Sequence, residues 1–460
     1  MNLHAPSVLA TRIEQEQGRP LSSTEIFEIT ASREMKLSRL LMLYIGTGLV
    51  FMLLPGTFLG VWNLLAISAQ RSASSVSPAW IQSHGYAQIF GWIGTFILGI
   101  GFHSIPKLRR AGTFGIWAPW TCWILWTSGV TLRWSTVVYQ WQWRTLLPLS
   151  AAFEVIAFLI FFRTVSGHRP QDAGKNKLEE WILAVIAGSV GLLVSLLMNL
   201  AAALFLSVTG PSPELPHRFD QTLLVFQTWG FLVPFVWGFS AKWLPIFLGL
   251  RHIHGRVLLL AIGLNSAGVL LAPFSIRATV VLLLTGAVVA ICALRLLEPA
   301  ERPAKLKGVH SSFPFFVRLA YFWLLVAAIL GIWAAMVINA PGIWGASRHA
   351  LTVGFLSTMV FAIGQRVLPA FSGMRLLFST KAMFIALFLL TVGCLMRVTS
   401  EVLAYQGFLQ SAWSWLPVSA VIEMSAVTVF ALNILVTFVK KPPFPPILNR
   451  NGGNLVPAVH

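Results

Sequence analysis

Long apolar runs are the feature that most restricts how this 460-residue chain can fold. Hydrophobic residues make up 56% of it, charged residues 10%, and the mean hydropathy is +0.76. An α-helix needs about 20 apolar residues to cross a bilayer. We count twelve such runs, near 39–66, 84–105, 113–133, 144–163, 181–207, 221–245, 256–275, 278–297, 315–339, 349–369, 381–401 and 414–439. The sequence therefore predicts an all-α integral membrane protein with twelve transmembrane helices, because barrel strands would be shorter and would alternate in polarity.

The formal net charge of +18 is distributed unevenly between the two sides of such a bundle. Basic residues concentrate in the N-terminal tail, the even-numbered loops and the C-terminal tail, whereas odd-numbered loops carry about one each. Basic loops stay in the cytoplasm, so both termini are predicted there. The polar segment 1–36 is not a cleavable signal peptide and is expected to be a cytoplasmic tail, followed by a membrane domain over 37–440 and a second cytoplasmic tail over 441–460.

One pattern recurs three times along the chain. The distances from Gly91 to Pro106, from Gly230 to Pro245 and from Gly354 to Pro369 are each fifteen residues. Three residues before each proline stands a basic or ionisable side chain: His103, Lys242 and Arg366. We interpret these as polar groups at the cytoplasmic ends of spans two, six and ten rather than as metal ligands.

Two further correspondences extend the repeat to whole units. The stretch 147-LPLSAAFE-154 matches 416-LPVSAVIE-423, and each places a glutamate inside a span. The stretch 127-TSGVTLRWST-136 matches 391-TVGCLMRVTS-400, and each places an arginine near the outer end. The sequence thus predicts three units of four helices, at about 37–165, 178–298 and 313–440.

Twelve helices in three four-helix units resemble the catalytic subunit of haem–copper oxidases. That resemblance implies interior sites near the outer leaflet, where spans two and ten supply the two axial histidines of a haem. His84 begins span two and His349 begins span ten, so they are the candidate pair. The alternative is that both are interfacial histidines satisfied by water or lipid headgroups.

Other ionisable residues near the outer ends extend this candidate site. His217 is a candidate third metal ligand, for copper. The candidate residues for binding haem propionates are Arg133, Arg397 and Arg348. The arginines would otherwise reach lipid headgroups. Glu154 and Glu423, inside the membrane, would form a proton path, bind a cation, pair with Lys242 or Arg366, or join helices by hydrogen bonds.

The third copy carries a resemblance to a known family. In 349-HALTVGFLSTMVFAIGQRVLP-369, the residues His349, Ala350, Thr352, Val353, Gly354 and Arg366 are similar to the signature of the NnrS family of bacterial membrane proteins. The segment 84-HGYAQIFGWIGTFILGI-100 resembles that family's first histidine segment, and 242-KWLPIF-247 resembles its Pro-x-Phe segment with a lysine as the basic residue.

The resemblance implies a haem- and copper-containing protein of the bacterial inner membrane, linked to nitric oxide metabolism or nitrosative stress. The chain departs from the family after Pro369, where it reads AFSGMR in place of a Gly-His-Thr-Gly-Arg exit, as expected of a divergent branch. Nitric oxide and membrane lipids are the expected partners, with no nucleic acid.

Two other functions remain to be weighed. An oxidase or nitric oxide reductase subunit would need about six intramembrane histidines with an adjacent pair, and this chain has no His-His pair. A transporter would use the buried glutamates, but four-helix repeats return the chain to its starting side, so the units are not inverted. The sequence therefore favours haem binding.

Overall fold

A computed structural model describes residues 22–108, 114–167, 179–337 and 341–440 of the chain. Helix α1 has three successive segments: Ser23–Phe51, a π-helical stretch at Met52–Phe58, and Leu59–Gln70. Helix α2 likewise comprises Pro78–Tyr86, a π-helical stretch at Ala87–Gly94, and Thr95–Leu108. They are followed by α3 (Trp117–Tyr139), α4 (Trp143–Ser166) and α5 (Glu180–Thr209). Helix α6 comprises His217–Val225, π-helical Phe226–Leu232 and Val233–Leu248, and precedes α7 (Gly255–Leu271), α8 (Ile276–Ala293) and α9 (Phe313–Met336). Helix α10 comprises Pro341–His349, π-helical Ala350–Ser357 and Thr358–Phe371, and precedes α11 (Thr380–Tyr405) and α12 (Ala412–Val439). Of the predicted tails 1–36 and 441–460, residues 1–21 and 441–460 lie outside the described residues, whereas residues 23–36 form the first part of α1.

Ten of these helices, within the described part of the chain, are long and apolar enough to cross a membrane. The exceptions to the predicted twelve spans are α3 and α7. Helix α7 has only 17 residues, and α3 is rich in tryptophan, threonine and serine, which lower its hydropathy. The protein is therefore an all-helical, multi-pass membrane protein.

Helices α2, α6 and α10 form the interior of the bundle. Their most apolar stretches are 89%, 61% and 72% buried, whereas those of the other seven candidate spans are 39–50% buried. Each interior helix packs against the helix that precedes it in the sequence: α2 against α1, α6 against α5, and α10 against α9. Helix α12 packs against α1, so the last helix of the described chain returns to the first.

The interior helices each contain a π-helical stretch at the same register. The three stretches Ala87–Gly94, Phe226–Leu232 and Ala350–Ser357 each begin four residues before the repeat glycine. A π-turn widens a helix locally and is frequently found at functional sites. All three lie on one side of the bundle, beside a large internal space.

Glycines at the helix crossings allow the interior helices to pack closely against their neighbours. A Cβ on Gly191 of α5 would lie 2.0 Å from the carbonyl oxygen of Gly230 in α6. A Cβ on Gly48 of α1 would lie 2.6 Å from the ring of Phe96 in α2. Small residues at such crossings let membrane helices approach closely, where dispersion forces hold them together.

Candidate functional site

A cavity of about 1670 Å³ opens between the starts of α2, α6 and α10 and the facing parts of α1, α11 and α12. It exceeds the ~300–1,000 Å³ of ordinary small-molecule pockets. Its walls are largely apolar, with contributions from Ile67, Ile93, Trp92, Trp229 and Leu351. The sequence-predicted residues that line it are His84, His349, Arg133, Arg348, Arg397, His217 and Glu423.

His84 is held against α1 by a backbone acceptor. Its Nδ1 lies 2.8 Å from the carbonyl oxygen of Gly56, in the π-helical stretch of α1. A carbonyl can only accept, so Nδ1 carries the hydrogen and Nε2 keeps its lone pair. The ring fits because Gly60 has no side chain: a Cβ there would lie 2.6 Å from Cε1 of His84. Nε2 is thereby left as the ring atom available to the cavity, and it has no hydrogen-bond partner among the described residues.

His349 is held in the same tautomer from the other side. Its Nδ1 donates to the carbonyl oxygen of Gly345 at 2.9 Å, and Oε2 of Glu401 in α11 lies 3.1 Å from the same nitrogen. Both neighbours are acceptors, so Nε2 again keeps the lone pair. His84 and His349 line the same cavity. Ligating histidines usually donate their second ring N–H in this way, which fixes the ring orientation.

A buried ion pair supports the His349 side. Nη2 of Arg397 donates to Oε1 of Glu401 at 3.1 Å, one helical turn apart in α11, and both side chains are 7% exposed. Nε and Nη1 of Arg397 have no hydrogen-bond partner in the described part of the chain. A buried charge without its full set of hydrogen bonds is costly, so a further acceptor beside Arg397 would stabilise the site.

A second buried polar cluster surrounds Tyr86 of α2. Its hydroxyl donates to Oε2 of Glu154 in a short hydrogen bond and accepts from Nδ2 of Asn199 at 3.2 Å. The Arg133 guanidinium lies 4.4 Å from the Tyr86 ring centroid. Glu154 is fully buried behind Tyr86 and, unlike the tyrosine, does not line the cavity.

In each of the two clusters, a glycine on a neighbouring helix leaves room for a buried glutamate. A Cβ on Gly129 of α3 would lie 2.7 Å from Cγ of Glu154, and a Cβ on Gly393 of α11 would lie 2.6 Å from Cγ of Glu423. Each glutamate thus packs into the gap left by a glycine four residues before the arginine. Tyr86 and His349 both stand five residues before their repeat glycine.

Three further charged or ionisable side chains line the same cavity: Arg348, Asp220 and His217. Nε2 of His217 lies 2.9 Å from Nε2 of Gln221 on its own helix. Within the described ranges, no three histidine, cysteine, aspartate or glutamate side chains are grouped so that they could hold a metal ion. The structure therefore does not group His217 with His84 and His349 among the described residues, and its role as a third metal ligand stays a prediction.

The repeat-related basic residues lie at the opposite ends of the interior helices. Nζ of Lys242 binds Oε2 of Glu179 at 2.5 Å, and Nη1 of Arg366 donates to the carbonyl oxygen of Lys307. Burial raises the pKa of Glu179, but its hydrogen bonds to Lys242 and Trp181 outweigh that effect and bring the pKa below its usual value. Among the described residues neither base pairs with Glu154 or Glu423, so of the alternatives open for the two glutamates this pairing is not the one that the structure has.

His103 occupies the corresponding place on α2. Its Nε2 lies 3.1 Å from Nζ of Lys107, and its ring packs against Phe371 with centroids 4.8 Å apart. Lys107 also pairs with Glu34 at 2.5 Å. His103 is thus part of a polar cluster far from the cavity, at the end of the bundle where Lys242 and Arg366 also lie.

Three residues of the site were missed by the sequence reasoning. Glu401 had a detectable signal, because it follows Arg397 by four residues on one predicted helix, the spacing of an ion pair. Tyr86 could have been found by aligning the first copy with His349 on the repeat glycine. Asp220 gave no signal, since an acidic residue in a loop before a span is ordinary.

The described residues fit a haem better than they fit copper. Two imidazoles from α2 and α10 present Nε2 lone pairs to one cavity with apolar walls, and Arg397 has guanidinium nitrogens without a partner there. A haem needs histidine nitrogens to bind its iron and arginine hydrogens to bind its propionates, and these residues offer both. Copper would need three or so grouped ligands, which these residues do not supply.

Comparison with known proteins supports the fold. The model of a domain of unknown function, DUF8744, matches residues 251–439. No curated protein matches the chain. A chain in a cryo-EM structure of a haem–copper terminal oxidase dimer is similar over 87% of this chain and 84% of its own, with a TM-score of 0.56 and 11% identity. At that identity the similarity concerns the fold alone.

Proposed function

We propose that this chain is a haem-binding, multi-pass membrane protein of the NnrS type, with His84 and His349 as the two axial ligands. The observation that carries the proposal is the shared geometry of these histidines: each lines the same cavity, with Nδ1 bound to a backbone carbonyl and Nε2 free. Two interfacial histidines satisfied by water would have no reason to share this tautomer and this cavity.

We also propose that α3 and α7 cross the membrane with the other ten helices, in three units of four. The common register of the π-helical stretches and the matching contacts of Gly129 with Glu154 and of Gly393 with Glu423 support the repeat. The proposed location is the bacterial inner membrane, with both termini in the cytoplasm, on the evidence of the basic even-numbered loops.

Each residue of the site has a distinct part in holding the cofactor. Gly56 and Gly345 set the tautomer of the two histidines, and Gly60 leaves space for the His84 ring. Arg397 would offer guanidinium hydrogens to a propionate, and Arg348 lines the same cavity. When bound, a haem would supply one-electron redox chemistry, and the apolar walls of the cavity would limit the access of water to it.

The haem assignment is tested by the amount of haem that co-purifies with the protein. Wild-type protein is expected to carry haem, and His84→Ala and His349→Ala are expected to lose most of it, because each removes one iron ligand. His217→Ala is the matched control, since it removes a cavity-lining histidine with no Nδ1 support, and it is expected to retain haem. Full haem content in both ligand variants would refute the assignment.

The role in nitric oxide metabolism rests on the sequence resemblance and is tested separately. A strain that lacks the chain is expected to grow more slowly than its parent in the presence of a nitric oxide donor, and His349→Ala is expected not to restore growth. Equal growth of the deletion strain and its parent would refute the nitric oxide role while leaving haem binding intact.

A further inference from the structure

The two candidate haem ligands are held by acceptors of different charge. Nδ1 of His84 meets a neutral backbone carbonyl, that of Gly56 at 2.8 Å. Nδ1 of His349 meets a carbonyl at 2.9 Å and, in addition, a carboxylate oxygen of Glu401 at 3.1 Å. A negative charge beside the outer ring nitrogen increases the basicity of the inner one. The two imidazoles are therefore unequal donors.

The charge on Glu401 is fixed in place by its surroundings. Arg397 binds Oε1 from the same helix, which directs Oε2 toward His349. The carboxylate fits against α10 because Gly345 has no side chain: a Cβ there would lie 2.6 Å from Oε1. Oε2 is buried and makes no hydrogen bond within the described chain, and Nδ1 of His349 lies 3.1 Å from it as its ion-pair neighbour.

The repeat provides an internal comparison for this role. Where the third unit has His349 and Glu401, the corresponding positions of the first unit are Tyr86 and Val137. The arginine and the intramembrane glutamate are present in both units, as Arg133 with Glu154 and Arg397 with Glu423. The extra carboxylate thus accompanies the histidine and is not a general feature of the helix.

We propose that Glu401 is a positioning residue that acts through His349 to lower the reduction potential of the bound haem. This inference rests on the proposed haem site. An oriented carboxylate makes His349 the stronger donor and favours ferric over ferrous iron, and hydrogen bonding around axial ligands is an established control of haem potential. Glu401 itself touches neither iron nor porphyrin in this assignment.

The test is a redox titration of the purified, haem-containing protein and its Glu401→Gln variant. Glutamine keeps the shape and removes the charge, so the potential is expected to rise. A tenfold loss of preference for the ferric state corresponds to 59 mV for a one-electron couple. Glu401→Asp is expected to give an intermediate potential, and Glu154→Gln, the control, a smaller change than Glu401→Gln because Glu154 binds Tyr86 rather than a histidine.

The outcomes separate this inference from the haem assignment. Wild-type protein without haem would overturn both. Glu401→Gln with full haem content and an unchanged potential would overturn the role of Glu401 alone. If Glu401→Gln fails to fold, Gly345→Ala provides the test, because its Cβ displaces the carboxylate while keeping its charge; the potential is expected to rise, and an unchanged potential would overturn the inference.

Discussion

Substituting Gly60 by alanine perturbs His84 without changing any polar group. The added Cβ would lie 2.6 Å from Cε1 and 2.9 Å from Nδ1 of the ring. To reach ordinary contact near 3.4 Å, the ring must move about 0.8 Å away from α1. Gly56 also lies on α1, so a hydrogen bond of 2.8 Å lengthens to about 3.6 Å and is lost.

The expected cost falls on cofactor binding rather than on folding. Loss of one hydrogen bond costs about 0.5–1.5 kcal/mol. Alanine in a helix regains about 0.5–1 kcal/mol relative to glycine. The free energy of unfolding should therefore change little. Loss of the partner that orients a ligating histidine typically weakens metal binding by roughly 10–100-fold, and that reduction is expected in haem affinity.

The assay is a haem titration of apoprotein, followed by a thermal melt of the same sample. Gly46→Ala is the matched control, because a Cβ at Gly46, on the same helix, would meet nothing within 4 Å. It is expected to bind haem as the wild type does. Wild-type haem affinity in Gly60→Ala would refute the reasoning, since the clash would then leave the His84 ring in place.

Two further predictions concern stability. Gly191→Ala is expected to lower the free energy of unfolding by about 1–3 kcal/mol. Its Cβ would lie 2.0 Å from the backbone oxygen of Gly230, and a backbone atom cannot rotate away as a side chain can. A melting temperature as high as that of Gly46→Ala would contradict this prediction. Tyr86→Phe is expected to cost about 1–3 kcal/mol because Glu154 loses its donor inside the membrane, and Tyr86→Phe combined with Glu154→Leu should recover part of that loss. An unchanged melting temperature in Tyr86→Phe would show that Glu154 does not depend on this hydrogen bond.

Much of the fold follows from the apolar pattern. The positions of α2, α6 and α10 follow from the fifteen-residue spacing of their glycines and prolines, and their burial agrees with the repeated motif. The pattern is less decisive at α3 and α7, which are helical but fall short of the length or hydropathy of a typical span. Their proposed crossing of the membrane rests on the packing of the bundle, which hydropathy does not report.

The candidate site was only partly predictable. The sequence placed His84, His349 and the arginines near one end of the bundle because topology and helix length determine that end. Which of them share a cavity depends on helix rotation, which the π-helical stretches change and which the sequence pattern did not predict. Lys242 lies at the bundle end, as its position in the repeated motif predicts, but the sequence pattern did not identify Glu179 as its partner.

The contact of Glu401 with His349 could not be predicted from the sequence. The spacing from Arg397 suggests an ion pair, but the contact with His349 joins two helices and depends on the gap at Gly345. Such a contact becomes visible only when the helices are packed.

The central claim, that His84 and His349 together ligate one haem, is tested most directly by electron paramagnetic resonance of the ferric protein. Wild-type protein is predicted to give a low-spin signal of two axial imidazoles. His349→Ala, reconstituted with haem, is predicted to give a high-spin or mixed signal. A wild-type protein without a haem signal, or a low-spin signal unchanged by His349→Ala, would contradict the account.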